Sequence, residues 1–182
     1  MKGGFDAWND IASKAEVDQG IYLIEGDESS EELLALAYGL EEENRRFYMT
    51  VSQALKDAET QDLFRMLSDM EEKHKESIWD RYRSVSGEQI EREQFETTIV
   101  TGVLEHGKTA EETLSQFMEW IQTTADAVEL AMALETDALD LYLRMAHKTG
   151  DGGSKKVFFS LAEEERMHLK KLATLFQRKL SL

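Results

Sequence analysis

Two Glu-x-x-His sequences contain the residues of this chain that are best suited to binding a metal ion. They pair Glu71 with His74 and Glu165 with His168. Residues three positions apart lie near the same face of a helix, because 3.6 residues make one turn. Carboxylate oxygens and imidazole nitrogens together suit iron or manganese. A single Glu-x-x-His is more typical of a solvated helix face. Whether these two belong to a metal site therefore depends on which other residues recur with them.

An internal repeat relates the two sequences at an offset of 94 residues. The same offset aligns Glu41 with Glu135 and Tyr48 with Tyr142, and 30 residues separate the single Glu from the Glu-x-x-His in both halves. Apolar positions also align: Leu36 with Leu130, Ala37 with Ala131, Leu40 with Leu134, Phe64 with Phe158, and Leu67 with Leu161. Two similar helix hairpins could share the apolar positions, but polar residues that recur at core-facing positions predict a common site.

The predicted site contains four carboxylates that interrupt apolar helix stripes. Glu41, for example, shares its stripe with Ala37 and Val51. An isolated buried carboxylate is unfavourable and takes up a proton unless positive charge compensates it. Two divalent cations would balance four such charges. The predicted metal ligands, which are also the predicted catalytic residues, are Glu41, Glu71, His74, Glu135, Glu165 and His168.

Tyr48 and Tyr142 are predicted to support these ligands. They lie two helical turns beyond Glu41 and Glu135, where their hydroxyls could donate hydrogen bonds to metal-bound carboxylates. The alternative is that each is a core tyrosine whose hydroxyl is bonded elsewhere.

Other polar candidates are interpreted as structural. Tyr38 aligns with an apolar residue in the repeat and is predicted to lie in the core. His106 and His147 have no Glu three residues earlier and are predicted to be surface histidines. The acidic runs 41–43 and 163–165 are expected to face solvent mostly, apart from their ligand residues.

Four long helices are predicted to carry these residues. The chain contains no proline, and its apolar residues recur at three- and four-residue steps. This pattern indicates an all-α fold of two helix hairpins joined by a long crossover. The predicted helices run from a Ser29 cap to about Ala58, from a Thr60 cap to about Arg83, over about 124–148, and from about Ser154 to Leu180. The crossover, 84–123, is predicted to include a short helix capped by Thr109, and glycines at 150–153 break the second hairpin.

Composition excludes several other classes of protein. The formal charge of −16 disfavours binding to nucleic acid. The chain has no cysteine, which rules out disulfides, iron–sulfur clusters and thiolate catalysis within it. No apolar stretch approaches the roughly 18 residues that a membrane span requires. A cytoplasmic location without membrane partners is therefore expected.

The four motifs together resemble the rubrerythrin branch of the ferritin-like superfamily. They are Glu41-x6-Tyr48, Glu71-x-x-His74, Glu135-x6-Tyr142 and Glu165-x-x-His168, and the resemblance covers residues 28–182. It implies a ferritin-like four-helix bundle around a carboxylate-bridged pair of iron ions. It further implies that Glu71 and Glu165 bridge or chelate the metals, that Glu41 and Glu135 are further carboxylate ligands, and that His74 and His168 are terminal ligands.

The chain departs from the rubrerythrin pattern in two respects. Rubrerythrins proper carry a rubredoxin-like site built from cysteines, so the electron donor here is expected to be another domain or protein. They also carry an additional Glu one turn after a ligand on the third helix, where this chain has Ala138. Reduction of peroxide by carboxylate exchange is thus less firmly implied than metal binding.

Residues 1–27 are predicted to form an irregular lead-in outside the main domain. The segment Gly3-Gly4-Phe5-Asp6-Ala7-Trp8 resembles the end of a rhodanese-like domain. This resemblance suggests that the natural protein carries such a domain upstream of Met1.

The leading functional hypothesis is reduction of peroxide or O2 at two iron ions, with manganese or zinc as substitutes. Iron binding or ferroxidase activity without peroxide turnover is the first alternative. A structural helical interaction domain is the second. The assembly state stays open, with a homodimer among the candidates.

Overall fold

All regular elements in the described part of the chain are helices. The computed structural model describes residues 28–87, 90–99 and 123–180. Five helices occur in these ranges: α1 (Ser30–Ala54), α2 (Ala58–Ser86), α3 (Arg92–Thr98), α4 (Thr124–Lys148) and α5 (Gly152–Leu180). The all-α prediction is confirmed. The predicted lead-in 1–27 and the short helix predicted after Thr109 lie outside the described residues.

Side-chain caps explain where the long helices begin. Ser29 and Glu32 form the predicted capping box of α1, and Thr123 forms one with Asp126 at α4. The predicted cap of α2 is wrong: the N-cap is Asp57, not Thr60, and the Asp57 side chain accepts a hydrogen bond from the backbone N–H of Thr60. Aspartate is a strongly preferred N-cap, and the backbone of Asp57 is extended as a cap requires. Helix α2 therefore begins at Ala58, and α1 ends before it.

Two antiparallel hairpins make up the bundle, α1 with α2 and α4 with α5. The three-residue connections 55–57 and 149–151 force each pair to run side by side. α2 also packs against α5, which joins the hairpins across the bundle. The connection between the hairpins is long, as predicted, because α4 begins 38 positions after the last residue of α2, Ser86.

A polar layer divides the core into two apolar clusters. One cluster contains Leu40, Ile78 and Phe158, and the other contains Phe47 and Leu172, each with many neighbours. Along each long helix, the residues of one cluster come first, the predicted ligands follow, and the residues of the other cluster come last. The six predicted ligands therefore occupy one level at mid-height of the bundle.

Helix α3 is not among the predicted elements, because the sequence analysis assigns its residues to the crossover and predicts a short helix only after Thr109. Its one buried side chain is Phe95, whose ring centroid lies 4.3 Å from that of Tyr82, 4.9 Å from Trp79 and 5.1 Å from Tyr38. A single anchoring aromatic leaves no periodic apolar pattern, so this seven-residue helix has little signal in the sequence.

Residues 149–151 connect the two helices of the second hairpin, whereas the predicted break covered residues 150–153. Asp151 caps α5 by accepting the N–H of Ser154 at 2.5 Å, and Gly152 and Gly153 already belong to the helix. Arg81 of α2 pairs with Asp151, and a Cβ at Gly153 would overlap the Arg81 guanidinium. The glycine thus leaves room for the Arg81 guanidinium beside the first turn of α5. Within the described residues, none of the helices is apolar enough over a sufficient length to cross a lipid bilayer.

Candidate metal centre

All six predicted ligands lie inside the bundle, each with 1% of its surface exposed. α1 and α4 each contribute one carboxylate, and α2 and α5 each contribute a carboxylate and an imidazole. The residues are Glu41, Glu71, His74, Glu135, Glu165 and His168. Helical spacing accounts for this convergence, because every one of these residues lies on the core-facing stripe of its helix.

The six residues form two overlapping groups of four. Glu41, Glu71, His74 and Glu165 bring one ligand atom each within 4.8 Å of one another, and Glu71, Glu135, Glu165 and His168 do the same. Glu71 and Glu165 belong to both groups. Two cations held by these groups would therefore share two carboxylates, which is the arrangement of a bridged pair.

Both imidazoles face the carboxylates with their Nδ1 atoms. Nδ1 of His74 lies 2.9 Å from Glu71 and 3.2 Å from Glu41, and Nδ1 of His168 lies 2.9 Å from Glu165 and 3.2 Å from Glu135. The two rings are stacked at 5.5 Å between centroids. Each four-residue group thus contains one nitrogen donor.

The tyrosine hydroxyls donate to carboxylates of the opposite repeat. Tyr48 donates to Glu135 at 2.9 Å, and Tyr142 donates to Glu41 at 2.5 Å. Both tyrosines are fully buried. Burial, followed by the charge of Glu135, raises the pKa of Tyr48 well above its usual value, so this phenol stays protonated as a donor.

The electrostatics of the cluster call for added positive charge. Burial and the neighbouring Glu41 raise the pKa of Glu71 well above its usual value, and burial and Glu135 do the same to Glu165. Burial alone would lower the pKa of His74, but the carboxylates of Glu41, Glu164 and Glu71 together outweigh burial, and the pKa is raised well above its usual value. Without a cation, the cluster must therefore take up protons.

A buried oxygen of Glu41, Oε2, also has no hydrogen-bond partner. Buried polar atoms in folded proteins are normally satisfied, so an orphaned carboxylate oxygen beside other carboxylates is suited to bind a cation. Four carboxylates and two imidazoles are hard and borderline donors, which fit iron, manganese or zinc. The residues present thus fit a pair of divalent metal ions.

The acidic run at 41–43 is buried, contrary to the sequence-based expectation that Glu42 and Glu43 face solvent. Glu42 accepts hydrogen bonds from Arg45, Arg46 and Lys75, and Glu43 pairs with Arg46. Burial would raise the pKa of Glu42, but these bonds, led by that of Arg45, lower it to about 2. The i,i+3 and i,i+4 spacing of Glu42 and the arginines was the available signal.

A second network of charges adjoins the centre around Tyr38. Tyr38 is buried as predicted, but its hydroxyl donates to Glu96 and accepts from Arg92, which makes it more than a packing residue. The network lines a cavity of about 470 Å³ between α1, α2 and α3. His147 is exposed as predicted, and His106 lies outside the described residues.

The fold and the site define this chain as a ferritin-like helical bundle with a candidate two-metal carboxylate centre. The sequence matches the family model of Rubrerythrin over residues 32–176, and the chain belongs to the rubrerythrin family. A hypothetical protein from Pyrococcus furiosus has a similar structure, with a TM-score of 0.55 and 22% sequence identity over 85% of this chain and 92% of that chain. This likeness supports the fold alone. No curated protein gives a significant match to the sequence.

Proposed function

We propose that this protein is a non-haem di-iron oxidoreductase that reduces peroxide or O2. The observation that carries the proposal is the sharing of Glu71 and Glu165 between two four-residue groups of ligand atoms. Two bound Fe(II) ions would supply one electron each, so that one hydrogen peroxide and two protons become two water molecules. Membership of the rubrerythrin family supports iron as the metal.

The residues have distinct roles in this proposal. Glu71 and Glu165 would serve both metal ions, and one terminal carboxylate and one imidazole would complete the ligands of each ion. Tyr48 and Tyr142 hold the terminal carboxylates in place through their hydrogen bonds. The apolar clusters above and below the polar layer exclude bulk water from the centre. An external electron donor must return the electrons, because the chain has no cysteine for a second iron site.

Anaerobic loading with Fe(II) followed by a peroxide titration tests the proposal. We expect two iron ions per chain, conversion of both from ferrous to ferric in the Mössbauer spectrum, and a break point at one peroxide per iron pair. Glu71→Ala should lower the iron content, whereas Glu76→Ala, on an exposed face of α2, should not. Bound iron that stays ferrous after peroxide and O2 would refute the oxidoreductase role.

Iron binding without peroxide turnover is the second candidate, and one observation favours it. Ala138 lies buried one turn after Glu135, where a further carboxylate ligand could otherwise stand. The two ligand groups therefore have the same composition, and the described residues offer no additional carboxylate for exchange at that position. Oxidation by O2 but not by peroxide would favour a ferroxidase. Less than about one metal ion per chain after Fe(II) challenge would favour a structural interaction domain.

We further propose a cytoplasmic protein that binds neither membranes nor nucleic acid, the latter supported by its formal charge of −16, with a homodimer as one candidate assembly. The upstream rhodanese-like domain is also a proposal, supported by the sequence of residues 3–8. The mass in solution tests the dimer, and the full reading frame tests the upstream domain.

A further inference from the structure

The two halves of the centre differ on the outer side of the histidines. Nε2 of His74 makes no aligned hydrogen bond but lies 3.3 Å from a carboxylate oxygen of Glu164, within ion-pair range. Nε2 of His168 is buried and has no hydrogen-bond partner, and no carboxylate of the described residues pairs with it. On the inner side, each Nδ1 lies at matching distances from the Glu of its own Glu-x-x-His and from one terminal Glu, and Nδ1 of His74 also lies 3.3 Å from Glu165. On the outer side, the Glu164 contact breaks the symmetry of the repeat.

A single pair of positions accounts for the difference. The 94-residue offset that aligns His74 with His168 also aligns Met70 with Glu164. Each of these residues immediately precedes the Glu of a Glu-x-x-His. The Met70 thioether is a weak acceptor, and its sulfur contacts Lys73 at 3.6 Å. One half of the repeat therefore carries a carboxylate where the other half carries a thioether.

A carboxylate beside Nε2 has a defined effect on a histidine that binds metal through Nδ1. It favours the tautomer with the proton on Nε2, which leaves the Nδ1 lone pair free, and it restrains the rotation of the ring. It also makes the imidazole a stronger donor to the metal. The Glu164 side chain is 41% exposed, so solvent weakens this effect without removing it.

We propose that Glu164 is a positioning residue for His74 and makes the two metal positions unequal. The position formed by Glu41, Glu71, His74 and Glu165 binds a divalent metal ion more tightly than the position that contains His168. This inference rests on the proposed function only in that the centre binds two metal ions. It does not depend on any reaction with peroxide.

Cobalt(II) titration of the metal-free full-length chain tests the inference, because cobalt absorption reports each binding step without redox chemistry. We expect two steps in the wild type, and Glu164→Gln should weaken the tighter step by about tenfold or more. Glu163→Gln is the matched control, since this neighbouring side chain is 67% exposed and pairs only with Arg166 among the described residues. The control should leave both steps unchanged.

Variants that keep only one of the two histidines show which metal position Glu164→Gln affects. His168→Ala retains the His74 position, and His74→Ala retains the other. Glu164→Gln should weaken cobalt binding in the first background and change it by less than twofold in the second. Equal weakening in both backgrounds, or none in either, overturns the inference. Circular dichroism checks that each variant keeps its helices.

If a single-histidine variant folds but binds no cobalt, the two-step titration of the chain with both histidines tests the role of Glu164 instead. Weakening of one step by Glu164→Gln supports the inference, and weakening of both or neither overturns it. A wild-type chain that binds less than one ion would sink both this inference and the proposed function. A wild-type chain that binds two ions with no effect of Glu164→Gln would sink this inference alone.

Discussion

The hydroxyl of Tyr142 donates a hydrogen bond to Glu41 across 101 positions of sequence, with 2.5 Å between the oxygens. Tyr48 makes the reciprocal bond to Glu135. Each tyrosine follows one terminal carboxylate by two turns of its own helix, yet bonds to the carboxylate of the other hairpin. The hydrogen bonds that orient the proposed ligands thus also join the two hairpins.

Replacing Tyr142 with Phe should destabilise the metal-free protein by about 1.5 to 3 kcal/mol, because the buried Glu41 carboxylate loses a hydroxyl donor. Urea denaturation measures this change in the free energy of unfolding. Tyr48→Phe should have a similar effect through Glu135. A Tyr142→Phe protein as stable as the wild type would show that the cross-hairpin bond contributes nothing.

Glu71→Gln should stabilise the metal-free protein while lowering metal binding. Burial and Glu41 raise the pKa of Glu71, so above about pH 4.5, its usual pKa, the folded wild type must hold a proton there or bury a charge. The contribution of Glu71 to the free energy of unfolding of the wild type therefore decreases as the pH rises, whereas a glutamine at this position does not titrate. We expect a gain of about 1 to 4 kcal/mol that is larger at pH 8 than at pH 5.

Denaturation of both proteins at the two pH values, after removal of metal, gives the comparison. Glu76→Gln on the exposed face of α2 is the control and should change stability little at either pH. A stabilisation by Glu71→Gln that is independent of pH would contradict the electrostatic explanation.

Asp151→Asn should remove part of the acid sensitivity of folding. The backbone N–H and hydroxyl of Ser154, together with Arg81, lower the pKa of Asp151 from 3.8 to about 2. A lowered pKa contributes stability above pH 4, which is lost as the pH falls through 2. The difference in the free energy of unfolding between the wild type and Asp151→Asn should therefore shrink as the pH falls from about 4 to about 2. A difference that is constant from pH 5 to pH 2 would show that the carboxylate charge is not responsible.

Phe95→Ala should release α3 without disturbing the centre. Phe95 is the buried anchor of this helix, and removing a buried aromatic ring typically costs about 3 to 5 kcal/mol where the site cannot collapse. Because α3 is short and peripheral, we expect hydrogen exchange to accelerate over 92–98 while metal stoichiometry is retained. Loss of metal binding in this variant would indicate that α3 supports the centre directly.

Much of the fold was predictable because it depends on local periodicity. The bounds of α4, 124–148, agree with the prediction, and Ser29 and Glu32 form the predicted capping box of α1. The prediction erred where two local signals compete, as at Asp57 and Thr60, and where one aromatic residue anchors a short helix, as at Phe95. The choice between two polar caps and the position of a single buried aromatic ring are both independent of the repeating apolar pattern from which helices are predicted.

The sequence by itself determined which side chains share a helix face and which of them recur at the 94-residue offset, so the six proposed ligands could be named in advance. Only the tertiary structure decided the contacts between helices: the crossed tyrosine bonds, the burial of Glu42 and Glu43, and the approach of Glu164 to His74. Spacing along one helix sets the direction of a side chain. The rotation and separation of neighbouring helices, which arise from packing of the whole core, set what that side chain meets.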